Sequence, residues 1–142
     1  MISVRFVLQR VTTIPRELEP RILYVAEAFG AAAHLCACGC GTKIRTPLGP
    51  TDWHLKETRR GPTLWPSVGN WQEPCQSHYL IIDGEVRWAR RWTREEIVAG
   101  RADEQARAHA YYERRHRHLA GRLGQWVRGL INRISAGLKK RD

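Results

Sequence analysis

The residues best suited to chemistry are crowded into His34-Leu35-Cys36-Ala37-Cys38-Gly39-Cys40-Gly41, where three of the chain's four cysteines and a histidine fall within eight residues. The fourth cysteine returns in Glu73-Pro74-Cys75-Gln76-Ser77-His78-Tyr79, so two short segments are expected to converge on one site. Thiolates are soft ligands that suit Zn2+ in a closed, tetrahedral structural site. The Cys-x-Cys-x-Cys spacing sets a condition, because residues two apart on an extended strand are separated by about 6.5 Å, too far for neighbouring ligands of one ion. The chain must therefore bend, and Gly39 stands where the bend is required. At least two of Cys36, Cys38 and Cys40 are expected to join Cys75 on the metal, with His34 and His78 in reserve. Buried free thiols or a cystine are the bland alternative.

A nucleophile follows from strand parity. If the strand through Cys36 pairs antiparallel with the one through Cys75, and these cysteines lie opposite each other, Ser77 lies opposite His34. A serine beside an imidazole is a nucleophile with its general base, and a cationic metal site next to it would help stabilise an oxyanion. His78 falls on the other face of that strand. The bland reading leaves Ser77 bonded to backbone and His34 as core filler. Pro66-Ser67-Val68-Gly69-Asn70-Trp71 supplies a loop that can wall the site or offer backbone donors, and Ser67 with His78 is the fallback pair should Ser77 prove dispensable. Asp52 reads either as an acid orienting a histidine or as a turn residue. His109, His116 and His118, set among arginines, read as a solvated helical face.

The elements that must position these groups are mostly strands. Residues 2–8, 21–26, 32–38, 43–46, 53–56, 63–65, 77–82 and 85–89 carry the β-rich or alternating pattern. Proline or glycine interrupts between them, at 14–20, Gly30, 47–51, 60–62 and 66–71. Asp83-Gly84 is the strongest hairpin signal. The period changes at Thr93-Arg94-Glu95-Glu96, a capping box that opens a helix. That helix is polar to about Leu119; a second helix then carries Leu123, Trp126, Val127, Leu130, Ile131, Ile134 and Leu138 on one face. Gly121, Gly124, Gly129 and Gly137 weaken it, so it is expected to pack on the β domain or a second copy of the chain ahead of an anionic membrane surface. The fold class is mainly β: a small zinc-containing antiparallel β domain over residues 1–92, with a basic, partly amphipathic helical extension over 93–142.

The net charge of +10 is uneven, with 12 basic against 8 acidic residues in 1–92 and 12 against 6 in the shorter remainder. Such a balance admits nucleic acid, an anionic membrane or an acidic protein partner. No apolar run approaches the roughly 18 residues of a membrane span, and the arginine-interrupted N-terminus does not read as a signal peptide, so a cytoplasmic protein is expected. In a reducing compartment clustered cysteines are metal ligands more often than disulfides.

The cysteine run, together with Thr46-Pro47-Leu48-Gly49-Pro50-Thr51-Asp52-Trp53, the Pro66–Trp71 stretch and Cys75-Gln76-Ser77-His78-Tyr79, resembles the BubE-type component of bacterial Bub operons over about residues 14–90. The resemblance implies a serine-type peptidase that matures or removes a ubiquitin-like protein, alongside E1-like and E2-like enzymes, in a pathway linked to phage defence. Carried over by position, it points to His34, Cys36, Cys38, Cys40, Cys75, Ser77 and His78, with Ala37 where many relatives would have proline. The helical tail lies outside it. The competing class is a non-enzymatic zinc module whose basic tail recruits nucleic acid or a protein partner.

Overall fold

The computed structural model describes residues 3–138, with side-chain surroundings through Ala136. The expected start of the first strand at Ile2, and Lys139, Lys140 and Arg141 of the tail, lie outside the described residues. Residues through Val98 form one compact unit and those from Ala99 another.

The first unit contains two four-stranded sheets. One is built in order from β1 (Val7–Arg10), β2 (Ile22–Ala26), β3 (Ala31–Leu35) and β4 (Lys43–Pro47); the other from β5 (His54–Thr58), β6 (Gly61–Gly69), β7 (His78–Ile82) and β8 (Glu85–Trp88). Every pairing is antiparallel except β1 with β2. That exception follows from the proline-bearing connection over residues 14–20, which returns the chain to run beside β1 in the same direction. One core draws on both sheets: Leu23, Val25, Ala32 and Ile44 meet Leu64, Val68, Tyr79 and Ile81, with Phe6 and Cys36 among them. Buried area of this kind stabilises at about 25 cal/mol per Å2 and holds the two sheets together.

The hairpin expected at Asp83-Gly84 is present: Ile82 pairs with Glu85, and Asp83 (φ 51°) and Gly84 (φ 81°) supply the two left-handed residues that a type I′ turn demands. The neighbouring turn packs so closely that a Cβ on Gly61 would lie 2.8 Å from the Gly84 Cα. Three of the expected strands differ from the structure. The first strand starts at Val7 rather than near residue 2, while Phe6 turns into the core. β3 stops at Leu35, short of the cysteines. The stretch 63–71 is not a short strand followed by a loop, because β6 runs through Pro66 to Gly69. Pro66 is tolerated there because the register breaks between Leu64 and Val68, where no ladder donor is needed from it.

Thr93 and Glu96 form the expected capping box: the Thr93 backbone N–H donates to Glu96 Oε2 at 2.8 Å and the Glu96 N–H to Thr93 Oγ1 at 3.3 Å. The helix it opens, α1, is a single element over Arg94–Leu138. The division into two helices near Leu119 is thus not found; single glycines cost a helix about 1 kcal/mol each but do not by themselves end it. Among the described residues no helix is long and apolar enough to cross a membrane.

Candidate active site and metal centre

The four cysteines do converge. After β3 the chain turns back on itself, with the Gly39 N–H donating to Cys36 O at 3.1 Å and the Cys36 N–H to Thr42 O at 2.8 Å. Gly39 and Gly41 take φ of 86° and 82°, values that let the thiols of Cys36, Cys38 and Cys40 leave the strand direction. Cys75 arrives from the segment before β7, and the four Sγ atoms all lie within 4.8 Å of one another. Four thiolates at 2.3 Å around a tetrahedral ion would stand about 3.8 Å apart. The Cys40–Cys75 pair is at 3.8 Å and the Cys36–Cys38 pair at 3.3 Å, so the donor set fits a metal ion both in chemistry and in spacing. Hydrogen bonds from Thr42, first its hydroxyl and then its backbone N–H, pull the Cys40 thiol down to about 6. Loss of water and then the Cys36 contact push Cys38 up. So many sulfurs in one place give up their protons together only against a cation.

Ser77 serves this cluster. Its Oγ lies 3.0 Å from Cys36 Sγ and 3.6 Å from Cys75 Sγ, and accepts a hydrogen bond of 2.9 Å from Asn70 Nδ2, which also reaches Cys36 Sγ at 3.3 Å. Asn70 and Ser77 face each other because the ladder between β6 and β7 continues past Gly69, the Asn70 N–H donating to Ser77 O at 2.9 Å. Both side chains are buried.

The expected contact between Ser77 and His34 is not formed. β3 and β7 belong to different sheets, so the pairing that would have set the two residues opposite each other does not exist. His34 is instead fully buried, its Nε2 2.9 Å from the Tyr79 hydroxyl and its Nδ1 without a partner among the described residues. Burial drives its pKa down to about 4, which leaves it neutral over the physiological range. The Tyr79 hydroxyl also accepts from the Ala37 N–H at 3.4 Å, so His34 and Tyr79 brace the cysteine turn from beneath. His34 and His78 are not drawn in as reserve ligands, the cluster among the described residues being the four cysteines. Asp52 takes the turn reading: its N–H donates to Gly49 O at 3.3 Å.

A different serine meets a histidine. His78 Nε2 lies 2.8 Å from Ser67 Oγ, and His78 Nδ1 lies 2.7 Å from the Arg90 carbonyl oxygen. A carbonyl only accepts, so in the neutral ring Nδ1 carries the proton and Nε2 offers its lone pair to the Ser67 hydroxyl. A hydroxyl bonded to an imidazole whose other nitrogen is held by a third group is the arrangement that activates a serine nucleophile. Ser67 is half-buried, open enough to meet a substrate, whereas His78 is buried.

Sheet parity explains how they meet. Val68 pairs with Tyr79, both facing the core, so Ser67 and His78, one residue before each, face outward. His78 is opposite Gly69, which has no side chain to intervene, and leans diagonally to Ser67. Leu64 pairs with Ile81 and Val68 with Tyr79, so four residues of β6 advance against two of β7. The resulting bulge re-aims Ser67, as bulges beside reactive groups commonly do. Gly69 is required for a second reason: a Cβ there would fall 2.5 Å from Nε1 of Trp71. The Trp71 ring lies 4.8 Å from that of His78 and stacks on Trp92 at 5.6 Å, while Trp92 meets His78 edge-on at 5.2 Å. Two indoles thus enclose the imidazole.

The Arg90 carbonyl is itself anchored. The Ala89 N–H donates to His78 O at 2.9 Å, and the Arg90 guanidinium grips Glu96 with both nitrogens, at 2.9 Å and 2.6 Å. That guanidinium, and after it the Thr93 backbone N–H, holds the Glu96 carboxyl down at about 2.

A family profile described as "Bacterial ubiquitination-like system serine protease (BubE)" matches residues 10–89, more than half of the 142-residue chain. The chain belongs to the BubE family. No curated relative and no solved structure matches it. The BubE match runs from the last residue of β1 through β8 and takes in all four cysteines, Ser67, Ser77, His34 and His78. It stops one residue short of Arg90, whose carbonyl holds His78. The sequence placed Asn70 and Trp71 only in a loop walling the site, without their partners, and did not single out Trp92 or Arg90. Asn70 had a legible signal, a polar residue at an inward position of an extended segment. Arg90 had none, since the group used is its backbone.

Proposed function

We propose that this BubE family member is a serine peptidase in which Ser67 is the nucleophile and His78 its general base, acting on the C-terminal tail or a conjugate of a ubiquitin-like protein in an antiphage pathway. The observation that carries the reading is the 2.8 Å contact between Ser67 Oγ and His78 Nε2, with Nδ1 committed to a carbonyl. Ser67 Oγ attacks the scissile carbonyl carbon as its proton passes to His78 Nε2; the resulting imidazolium returns that proton to the leaving amine. Water then enters by the same route and releases the acyl group from Ser67. The Arg90 carbonyl orients the ring and stabilises the imidazolium through its oxygen dipole, a role that a carboxylate fills in other serine hydrolases.

Cys36, Cys38, Cys40 and Cys75 would hold one Zn2+, the ion favoured by an all-thiolate set. When bound, it supplies a structural link between the turn after β3 and the segment before β7. Ser77 and Asn70 orient and stabilise the Cys36 thiolate, as groups bonded to metal ligands do.

The test uses a ubiquitin-like protein carrying a cleavable C-terminal extension, and a fluorophosphonate probe. The wild-type chain cleaves the extension and carries the probe on Ser67; Ser67→Ala and His78→Ala do neither, while Ser77→Ala does both. Full cleavage by Ser67→Ala would overturn the assignment. Absence of hydrolysis by wild type on such substrates would favour the non-enzymatic zinc module.

A further inference from the structure

We infer that the C-terminal half of α1 is a binding element for anionic lipid surfaces. From Leu123 to Ile134 the apolar residues Leu123, Trp126, Val127, Leu130, Ile131 and Ile134 fall within an arc of roughly 140° at helical spacing. All six are between 40% and 65% exposed. Six large side chains along one stripe form a contiguous apolar surface of the kind that soluble proteins cover.

The charge around the stripe selects its cover. Arg122 and Arg133 border one side and Arg117 and Arg128 the other, and no aspartate or glutamate occurs anywhere from residue 114 to 141. A second copy laid along the stripe would set arginine against arginine with no acid to answer, which is the opposite of a helix pair's charged flanks. A nucleic acid would take the arginines and leave the leucines and isoleucines in water. An anionic bilayer takes both, the stripe entering the acyl boundary and the arginines meeting lipid phosphates on either side, with Trp126 suited to the headgroup level. The first half of α1 lacks this pattern, since Glu95, Glu96, Asp103, Glu104 and Glu113 are mixed with its arginines. Gly121, Gly124 and Gly129 make the segment a weak helix in water, and a surface that stabilises the helical form offsets that weakness.

The experiment is co-sedimentation of the full-length chain with vesicles of phosphatidylcholine alone and of phosphatidylcholine mixed with phosphatidylglycerol, at low and physiological salt. Binding is expected to the mixed vesicles only, weakening as salt rises. The double variant Leu130→Glu/Ile134→Glu should abolish it. The triple variant Arg122→Gln/Arg128→Gln/Arg133→Gln should weaken partitioning on the order of a hundredfold. Unchanged metal content and melting temperature would show that the variants remain folded. No binding to mixed vesicles, or equal binding to both kinds, overturns the inference. So does a dimer in solution that dissociates on Leu130→Glu without any vesicle binding, which would assign the stripe to a second copy. Binding to duplex DNA that persists in Leu130→Glu/Ile134→Glu, without vesicle binding, would assign the arginines to nucleic acid.

Discussion

Ser67 and Ser77 stand on opposite faces of the same ladder, and the contrast between their surroundings says more than either alone. Ser77 faces inward, buried among Asn70, Cys36 and Cys75, where its hydroxyl has sulfur for a neighbour and no imidazole. Ser67 faces outward, half-exposed on a bulge, with His78 bonded to it and two indoles around that histidine. Ser77 and His78 are adjacent in the chain, yet the period of two sends one to the cysteines and the other to Ser67. A seryl hydroxyl becomes a nucleophile through what accepts its proton and what can approach it; on both counts the outer face qualifies and the inner does not.

The sharpest way to break this contrast is to remove each hydroxyl in turn. Ser67→Ala should lower kcat/KM for cleavage by at least on the order of a thousandfold while leaving the metal in place. Ser77→Ala should do the reverse, sparing most of the hydrolysis while metal affinity falls roughly ten- to a hundredfold. Equal loss of cleavage in the two variants, with metal retained in both, would erase the distinction.

The inner face can be tested through the metal. Elemental analysis of the purified chain should find about one zinc, and Cys75→Ser should lower the melting temperature more than a change at Cys38 or Cys40, because Cys75 alone ties in the segment before β7. Equal melting temperatures across the single cysteine variants would count against that role.

On the outer face, Gly69→Ala should displace the Trp71 indole from beside His78 and lower kcat on the order of a hundredfold, with a much smaller effect on metal content. Wild-type kcat in that variant would mean that the indole does not position the imidazole.

The smallest effect concerns the clamp behind the Arg90 carbonyl. The Glu96 carboxyl, held at about 2 against an ordinary value of 4.5, contributes to the start of α1 fully above the unfolded value, and that contribution is lost as pH falls through about 2. Its carboxyl resonance should therefore titrate below the ordinary 4.5 in the folded chain; an unshifted midpoint in chain that stays folded would show that the Arg90 fork is not formed. Glu96→Gln should reduce kcat by roughly threefold or less, the pair being exposed.

Much of the molecule was legible in the chain before any folding was considered. The type I′ turn at Asp83-Gly84, the capping box at Thr93–Glu96, the bend at Gly39 and the gathering of Cys36, Cys38 and Cys40 toward Cys75 each rest on a few residues and their intrinsic chemistry. The family resemblance was legible for the same reason, its motifs being short and unusual, and the match over residues 10–89 agrees with it.

The surroundings of Ser77 were not legible, and Ser67 with His78 stood only as the fallback pair. Parity along one strand is local, and it correctly separated Ser77 from His78; which strand lies alongside is not local, and the assumption that β3 pairs with β7 sent Ser77 to His34. Pro66 argued for a loop on local grounds, yet the bulge that admits it is what turns Ser67 toward His78. The Arg90 carbonyl has no signature in any residue type, because every residue carries a backbone oxygen and only the folded chain selects one. The sequence by itself determined the clustering of the thiols, the turns and the alternation of faces, since these follow from side-chain type and backbone preference over a few residues. Only the tertiary structure decided that His34 supports the core while His78 meets the Ser67 hydroxyl, because that choice depends on which strands share a sheet, a matter of packing across the whole unit.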